Sequence, residues 1–380
     1  MITKLSVRNY KSLRSLDLPL RPLTVFVGAN GSGKSNIIDS LMLQQELTNM
    51  GSGAIESRGG FKDLVWDGDV RRQIEFHFEG TLDSKGRGGN HFQYDLELTG
   101  SNETYRVASE GLRLVKNKHS TSILAYLEGS PAVVMDDAGA QLAQLVVESA
   151  REPLLRRMTA VASSGMAAAF PKSISIWKRY EFTVDALRQQ SAARREVRLS
   201  PNGSNLAALL HTLQTELPER FERLKTLLRV VLPEMIDLYA PLTEQGKATV
   251  RLKEQGLRFE APLWVLSVGT LHTLAVLAAL YAPEPPDLMC FEEPENYVHP
   301  RVLDVLAETF REVTDTTQVL ITTHSPHLLN LFEPEDVVIV EKENGATIAT
   351  AAKRRKGVAA AMEALGAGAA WYSGAIGGLP

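Results

Sequence analysis

Two adjacent glutamates end an apolar run in LMCFEEPENYVHP, residues 288–300. Desolvating one carboxylate there is costly, and a second beside it adds repulsion. Such a pair needs a cation to offset it, so Glu292 and Glu293 point to chemistry rather than packing. Glu292 suits orienting a metal ion and its waters, and Glu293 suits acting as base on an attacking water. His324, in QVLITTHSPHLL, follows a second β-rich run. At the C-terminal edge of a parallel sheet it would meet the same ligand, with hydrogen bonds to offer an anion and the water. His299 and His327 read as turn histidines, and Glu295 with His299 lacks the spacing of a zinc-protease motif.

The matching half lies near the start of the chain. FVGANGSGKSN, residues 26–36, contains Gly28, then Gly33-Lys34-Ser35 after four intervening residues, which is the P-loop pattern. Glycines let the backbone wrap phosphate oxygens with its N–H groups turned inward, and the following helix adds its positive end. Lys34 reaches the β- and γ-phosphates of a nucleoside triphosphate, and Ser35 can ligate Mg²⁺. Asn30, Gly31 and Asn36 complete the candidate phosphate-facing set. An apolar strand before the loop and a helix-compatible run after it meet the motif's structural requirement.

The elements that must hold these groups are legible as patterns. ITKLSV, LRSLDL and LTVFVG predict short strands, and Ile37, Ile38, Leu41 and Leu43 predict a helix over about 35–47. GSGAIESRGG, residues 51–60, reads as a loop. Period-two alternation in QIEFHFEG and HFQYDLEL predicts antiparallel strands across 73–128, with SKGRGGN as a turn. Residues 140–170 read as helical, SISIWKRYEFTV as strand, and a long helix starts near Ser204. From 288 onward strand and helix alternate, implying a parallel sheet. No segment sustains coiled-coil heptads. The Gly- and Ala-rich residues 357–380 fit either a packed strap or a partly disordered tail.

Composition narrows the setting. The 380 residues are 44% hydrophobic and 23% charged, with net charge −4, so no global field draws the chain to nucleic acid or an anionic membrane. The sole cysteine, Cys290, rules out an intramolecular disulfide and a multi-thiolate zinc site, fits a reducing cytoplasmic setting, and reads as a small buried apolar residue. MITKLSVRNYKSLRSL has no unbroken apolar run of signal-peptide type. Residues 261–282 carry no charge, but Ser267, Gly269, Thr270, His272 and Thr273 interrupt them, so a buried helix is expected rather than a membrane span.

The order P-loop, Glu-Glu-Pro-Glu, Thr-Thr-His-Ser-Pro resembles the ABC-type ATPases of the RecF/SMC/OLD-like group. LSVGT, Leu266–Thr270, stands where that group has its signature motif. ITKLSVRNYKSL, LSPNGSNLAALLHTL and WYSGAIGGLP resemble a stand-alone bacterial branch. The resemblance implies an α/β P-loop NTPase fold with a β-rich lobe and a helical, signature-bearing lobe. It implies ATP and Mg²⁺ as ligands, with Ser267 and Gly269 contacting ATP held by a second protomer, so that a homodimer closes on two ATP molecules. The expected partition is 1–60 and 283–345 for the nucleotide-binding lobe, 61–190 for a β-rich and helical insertion, 191–282 for the helical lobe, and 346–380 for the tail. Gln44 and Gln45 lie too near the P-loop and Gln73 in a predicted strand, so the group's Q-loop glutamine is not placed.

Function follows from the group. One reading is an ATPase in DNA transactions, repair or anti-phage defence. The alternative is a nucleotide-gated regulatory subunit for a separate effector protein, such as a nuclease, encoded nearby. OLD-type nucleases carry their nuclease domain after the histidine, and residues 325–380 are too few for one. A transporter subunit fits less well, given the β-rich insertion and the departure of LSVGT from transporter signatures. Arg194, Arg195 and Arg198, and KRRK at 353–356, read as solvated faces before they read as DNA contacts.

Overall fold

The computed structural model describes residues 1–82, 90–102, 104–116, 119–147, 149–355 and 357–377. A six-stranded sheet runs in the order Lys178–Tyr180, Leu288–Glu292, Gln318–Thr323, Leu23–Val27, Val337–Glu343, Ala346–Ala351. Its first five strands are parallel and the last is antiparallel. Successive side chains of a strand face opposite ways, and here each face meets its own core. Val25, Val27, Met289, Phe291, Val319 and Ile321 enter one core with the helical lobe. Phe26, Leu288, Cys290 and Leu320 enter the other. That is why these strands read as unbroken apolar runs, and why Cys290 is buried as expected.

The second core lies under an eight-stranded antiparallel sheet: Leu13–Pro19, Ile2–Tyr10, Ile74–Leu82, Asn90–Gly100, Tyr105–Lys116, His119–Leu127, Ala132–Met135, Gln141–Leu145. Ile74, Phe76 and Phe78 pack inward with Tyr94, Leu96 and Leu98, as the alternation requires. The helix Lys34–Met50 lays Ile37, Ile38, Leu41, Leu43 and Leu47 into this core, fixing the P-loop at its N-terminus. The first core holds the helices Leu206–Glu216, Pro218–Val231, Val268–Leu280 and Pro300–Val313. Thr270 to Leu280 is buried throughout, and among the described residues no helix is long and apolar enough to cross a membrane.

Local patterns misled in four places. Residues 51–60 include a helical turn, Gly53–Glu56. The span 140–170 opens on the edge strand Gln141–Leu145 before the helices Leu155–Val161 and Gly165–Ser175. SISIWKRYEFTV is strand only at Lys178–Tyr180; its first residues finish a helix, because burying Ile174 and Trp177 in the second core outweighs β propensity. The helix after His324 lasts one turn, Pro326–Leu329. The two sheets also interleave along the chain: the opening strands join the antiparallel sheet, and Lys178–Tyr180 joins the parallel one. All of the SKGRGGN turn but Asn90 lies outside the described residues. The tail is a packed strap as far as residue 377: Trp371 is 4% exposed, and Ala370 and Ile376 are fully buried.

Candidate nucleotide-binding site

The P-loop joins the strand Leu23–Val27 to the helix Lys34–Met50. Its glycines are there for room. A Cβ on Gly28 would lie 2.0 Å from the carbonyl oxygen of Val340, and one on Gly33 would lie 1.9 Å from Thr347 Oγ1. Gly31 and Gly33 take φ of 74° and 105°, the left-handed region that glycine tolerates best. Asn30, Gly31 and Ser35 are exposed, while Lys34 is buried and donates to the carbonyls of Gly28 and Ala29 at 2.8 and 3.0 Å. Lys34 and Ser35 open the helix, so their N–H groups have no acceptor within it. Burial lowers the Lys34 ammonium's pKa, and Glu293, Glu292 and Glu295 pull it back up.

Glu292 ends the strand beside the histidine strand, and its carboxylate accepts from Ser35 Oγ at 3.2 Å, across 257 residues. Burial raises its pKa, chiefly opposed by Arg179. Arg179, on the neighbouring strand, brings Nε to 2.7 Å from Glu292 Oε1, yet the two are out of line for a hydrogen bond. The other carboxylate oxygen, Oε2, with the Ser35 hydroxyl beside it, offers oxygen donors of the kind Mg²⁺ takes. Glu293 sits at φ 47°, a strained setting for a non-glycine residue. Its N–H continues the ladder to the Thr322 carbonyl, and its carboxylate accepts from Asn296 Nδ2 at 2.9 Å. His324 Nε2 stands 3.7 Å from Glu293 Oε1. Burial, and then Lys34, lower the imidazole's pKa. Lys34, Ser35, Glu292, Glu293 and His324 therefore share one edge of the parallel sheet.

Ser267 caps the helix Val268–Leu280, its hydroxyl accepting from Thr270 N at 3.1 Å. Gly269 packs against the loop after Glu293: a Cβ there would lie 2.4 Å from the Tyr297 carbonyl oxygen. His272 links the same helix to Tyr297 and to Phe182 through ring contacts of 6.3 and 5.5 Å. The strand flanking Glu292's own leads into Glu181 and Phe182, so an acidic residue, not a glutamine, follows it. Asn36 turns aside from the loop and donates to Ser12 Oγ at 2.7 Å. The basic cluster is neutralised locally, Arg194 by Glu196, Arg195 by Glu216 and Arg198 by Glu284. Lys353 and Arg355 pair with Glu335 and Glu341, and Lys356 lies outside the described residues.

Four residues escaped the sequence reading. Arg179 is one. Glu295 is half-buried and accepts from Thr323 Oγ1 at 2.6 Å and His324 N at 2.9 Å, tying the glutamate loop to the histidine loop. Thr347 donates to the Ser32 carbonyl at 2.8 Å and, with Ser12, clamps the P-loop from the antiparallel edge strand. Trp371 of the tail lies 6.4 Å from the His324 ring. The motif EEPE offered a signal for Glu295; for Arg179 and Thr347 the signal would have been which strands are neighbours, and for Trp371 where the terminal helix packs, and spacing contains neither.

The fold is that of an α/β P-loop protein of ABC-ATPase type. Residues 1–121 match the family model described as AAA ATPase domain, and residues 147–330 match the AAA domain model described as putative AbiEii toxin, Type IV TA system. An OLD nuclease of Thermus scotoductus is 22% identical over 358 residues, 90% of this chain and 62% of the relative, so the chain spans about three-fifths of that protein's length. An SMC head bound to the C-terminal winged-helix domain of ScpA is similar in fold, with a TM-score of 0.54, 14% identity and coverage of 92% and 96%. An Smc head domain bound to the C-terminal domain of ScpA from Pyrococcus furiosus gives 0.53, 12%, 93% and 97%. Two AAA-type ATPase domain models thus match successive stretches of the chain, and its fold is that of the SMC heads.

Proposed function

We propose that the chain binds ATP with Mg²⁺ and hydrolyses it to ADP and phosphate in a site completed by a second copy, in the service of a DNA transaction. The observation that carries this reading is the convergence of Lys34, Ser35, Glu292, Glu293 and His324 on one sheet edge, with Ser35 and Glu292 3.2 Å apart. Gly28 to Gly33 wrap the phosphates, and Lys34 leaves its loop carbonyls for the β- and γ-oxygens. Ser35 and Glu292 hold Mg²⁺, whose charge offsets that of the phosphates. Glu293 takes the proton of the attacking water, and His324 donates to the γ-phosphate. Exposed Trp264 and Val265, 48% and 56% accessible just before the signature, give the second copy an apolar surface to close upon. Purified protein should hydrolyse ATP only with Mg²⁺, and Lys34→Ala should abolish turnover; undiminished turnover in that variant sinks the reading.

The OLD relative supports a second reading, in which nucleotide state governs nuclease chemistry housed outside the matched region. The ATPase rate with and without single- and double-stranded DNA, beside capture of the neighbouring gene's product, separates the two.

A further inference from the structure

We propose that Trp371 is a positioning residue for His324, and that the terminal strap is a working part of the ATPase site rather than packing alone. The inference rests on the reading of His324 as a γ-phosphate contact. The backbone of His324 is already fixed, since its N–H donates to the half-buried Glu295. Its ring is less constrained: the side chain is 26% exposed, and Glu293 Oε1 stands 3.7 Å away, beyond a direct hydrogen bond. Trp371, only 4% exposed, closes on that ring with centroids 6.4 Å apart and planes tilted by 52°. A stiff aromatic body at this distance limits the positions the imidazole can take.

The strap is itself seated on the histidine loop. Gly368 N donates to Asn330 Oδ1 at 2.6 Å, and a Cβ on Gly368 would lie 2.1 Å from the Pro326 carbonyl oxygen. Only glycine lets the helix Ala367–Tyr372 come this near to Pro326–Leu329. Beyond it, Ile376 is buried, and Gly377 lies against the Arg355–Glu341 pair, where a Cβ would meet Glu341 Oε1 at 2.4 Å. Contacts this close, made by Gly368 to the single turn that follows His324 and to Asn330 at its end, transmit the strap's placement to the ring.

The test is a double-mutant cycle on ATP turnover. Trp371→Ala should lower kcat roughly ten- to a hundredfold, since a misplacement of about 1 Å can cost about a hundredfold, with KM for ATP within about twofold. Trp371→Phe should restore most of the loss. In a His324→Ala background, Trp371→Ala should cost nothing further. Gly368→Ala, which leaves Trp371 intact but lifts the strap from Pro326, should reproduce the loss and speed amide exchange across 324–330. A Trp371→Ala loss that persists in full in the His324→Ala background, or no loss in either strap variant, overturns the proposal while leaving the histidine reading standing. A His324→Ala protein with unchanged kcat removes both.

Discussion

Glu295 shows how one half-buried carboxyl can serve a site without touching its ligand. It accepts from the Thr323 hydroxyl and the His324 N–H, so the loop after the glutamates and the loop carrying the histidine move together. Burial raises its pKa, and those two donors oppose the rise. Glu295→Ala strands both donors, and an unsatisfied buried group costs about 1–3 kcal/mol. The variant should melt at a lower temperature and turn over ATP more slowly, while still binding nucleotide through Lys34; a thermal melt beside steady-state kinetics checks both halves. Lys34, Glu292, Glu293 and His324 were legible because each sits in a short motif at the end of an apolar strand, although the motifs meet only across the sheet. Arg179 and Thr347 reach the site across strand pairings that link distant segments, and no local pattern announces them.

At the scale of elements, the parallel strands and the period-two strands were legible because burial on two faces and on one face leave different patterns. The region 140–175 was not, since its short helices and edge strand are settled by what they pack on. Glu110 belongs to that region's support. Buried in the strand Tyr105–Lys116, it accepts from Leu154 N, Leu155 N and Tyr94 OH and so holds the start of the helix Leu155–Val161. Burial pushes its pKa up to about 7 from an ordinary 4.5. Between those values the folded state keeps a proton that the unfolded state has lost. This group's contribution is thus present below about 4.5 and is lost as pH rises through 7, a change on the order of 3 kcal/mol. Melting temperatures followed from pH 4.5 to 8 should lose that component in Glu110→Gln, which carries no titrating proton there.

For the whole molecule, assembly is the question the single chain poses. Ser267 and Gly269 meet the site through the Tyr297 loop, and Tyr297 itself is 71% exposed beside them. If the signature acts on a partner's ATP, nucleotide joins two chains. Glu293→Gln, which binds ATP without consuming it, should shift towards dimer on adding ATP and return with ADP in light scattering. Ser267→Arg should block the shift, and mixing it with Lys34→Ala protein should restore some turnover, because one of the two sites then pairs an intact P-loop with an intact signature. An unchanging mass together with no rescue rejects the arrangement. The neutralised arginines at 194, 195 and 198 leave little net positive charge there for nucleic acid.

The sheet order has a bearing on how the protein is made. The strand Leu23–Val27 is flanked by Gln318–Thr323 and Val337–Glu343, both close to three hundred residues later. A ribosome adding about 5–20 residues per second therefore exposes the nucleotide loop's strand for tens of seconds with both hydrogen-bonding edges bare. The antiparallel strands that follow can pair as they emerge, but the cradle for phosphate has nothing to lean on until translation has passed residue 340. A nascent chain thus holds its P-loop unformed until those later strands have emerged, and depends for that interval on whatever shields an apolar strand from its neighbours on the polysome.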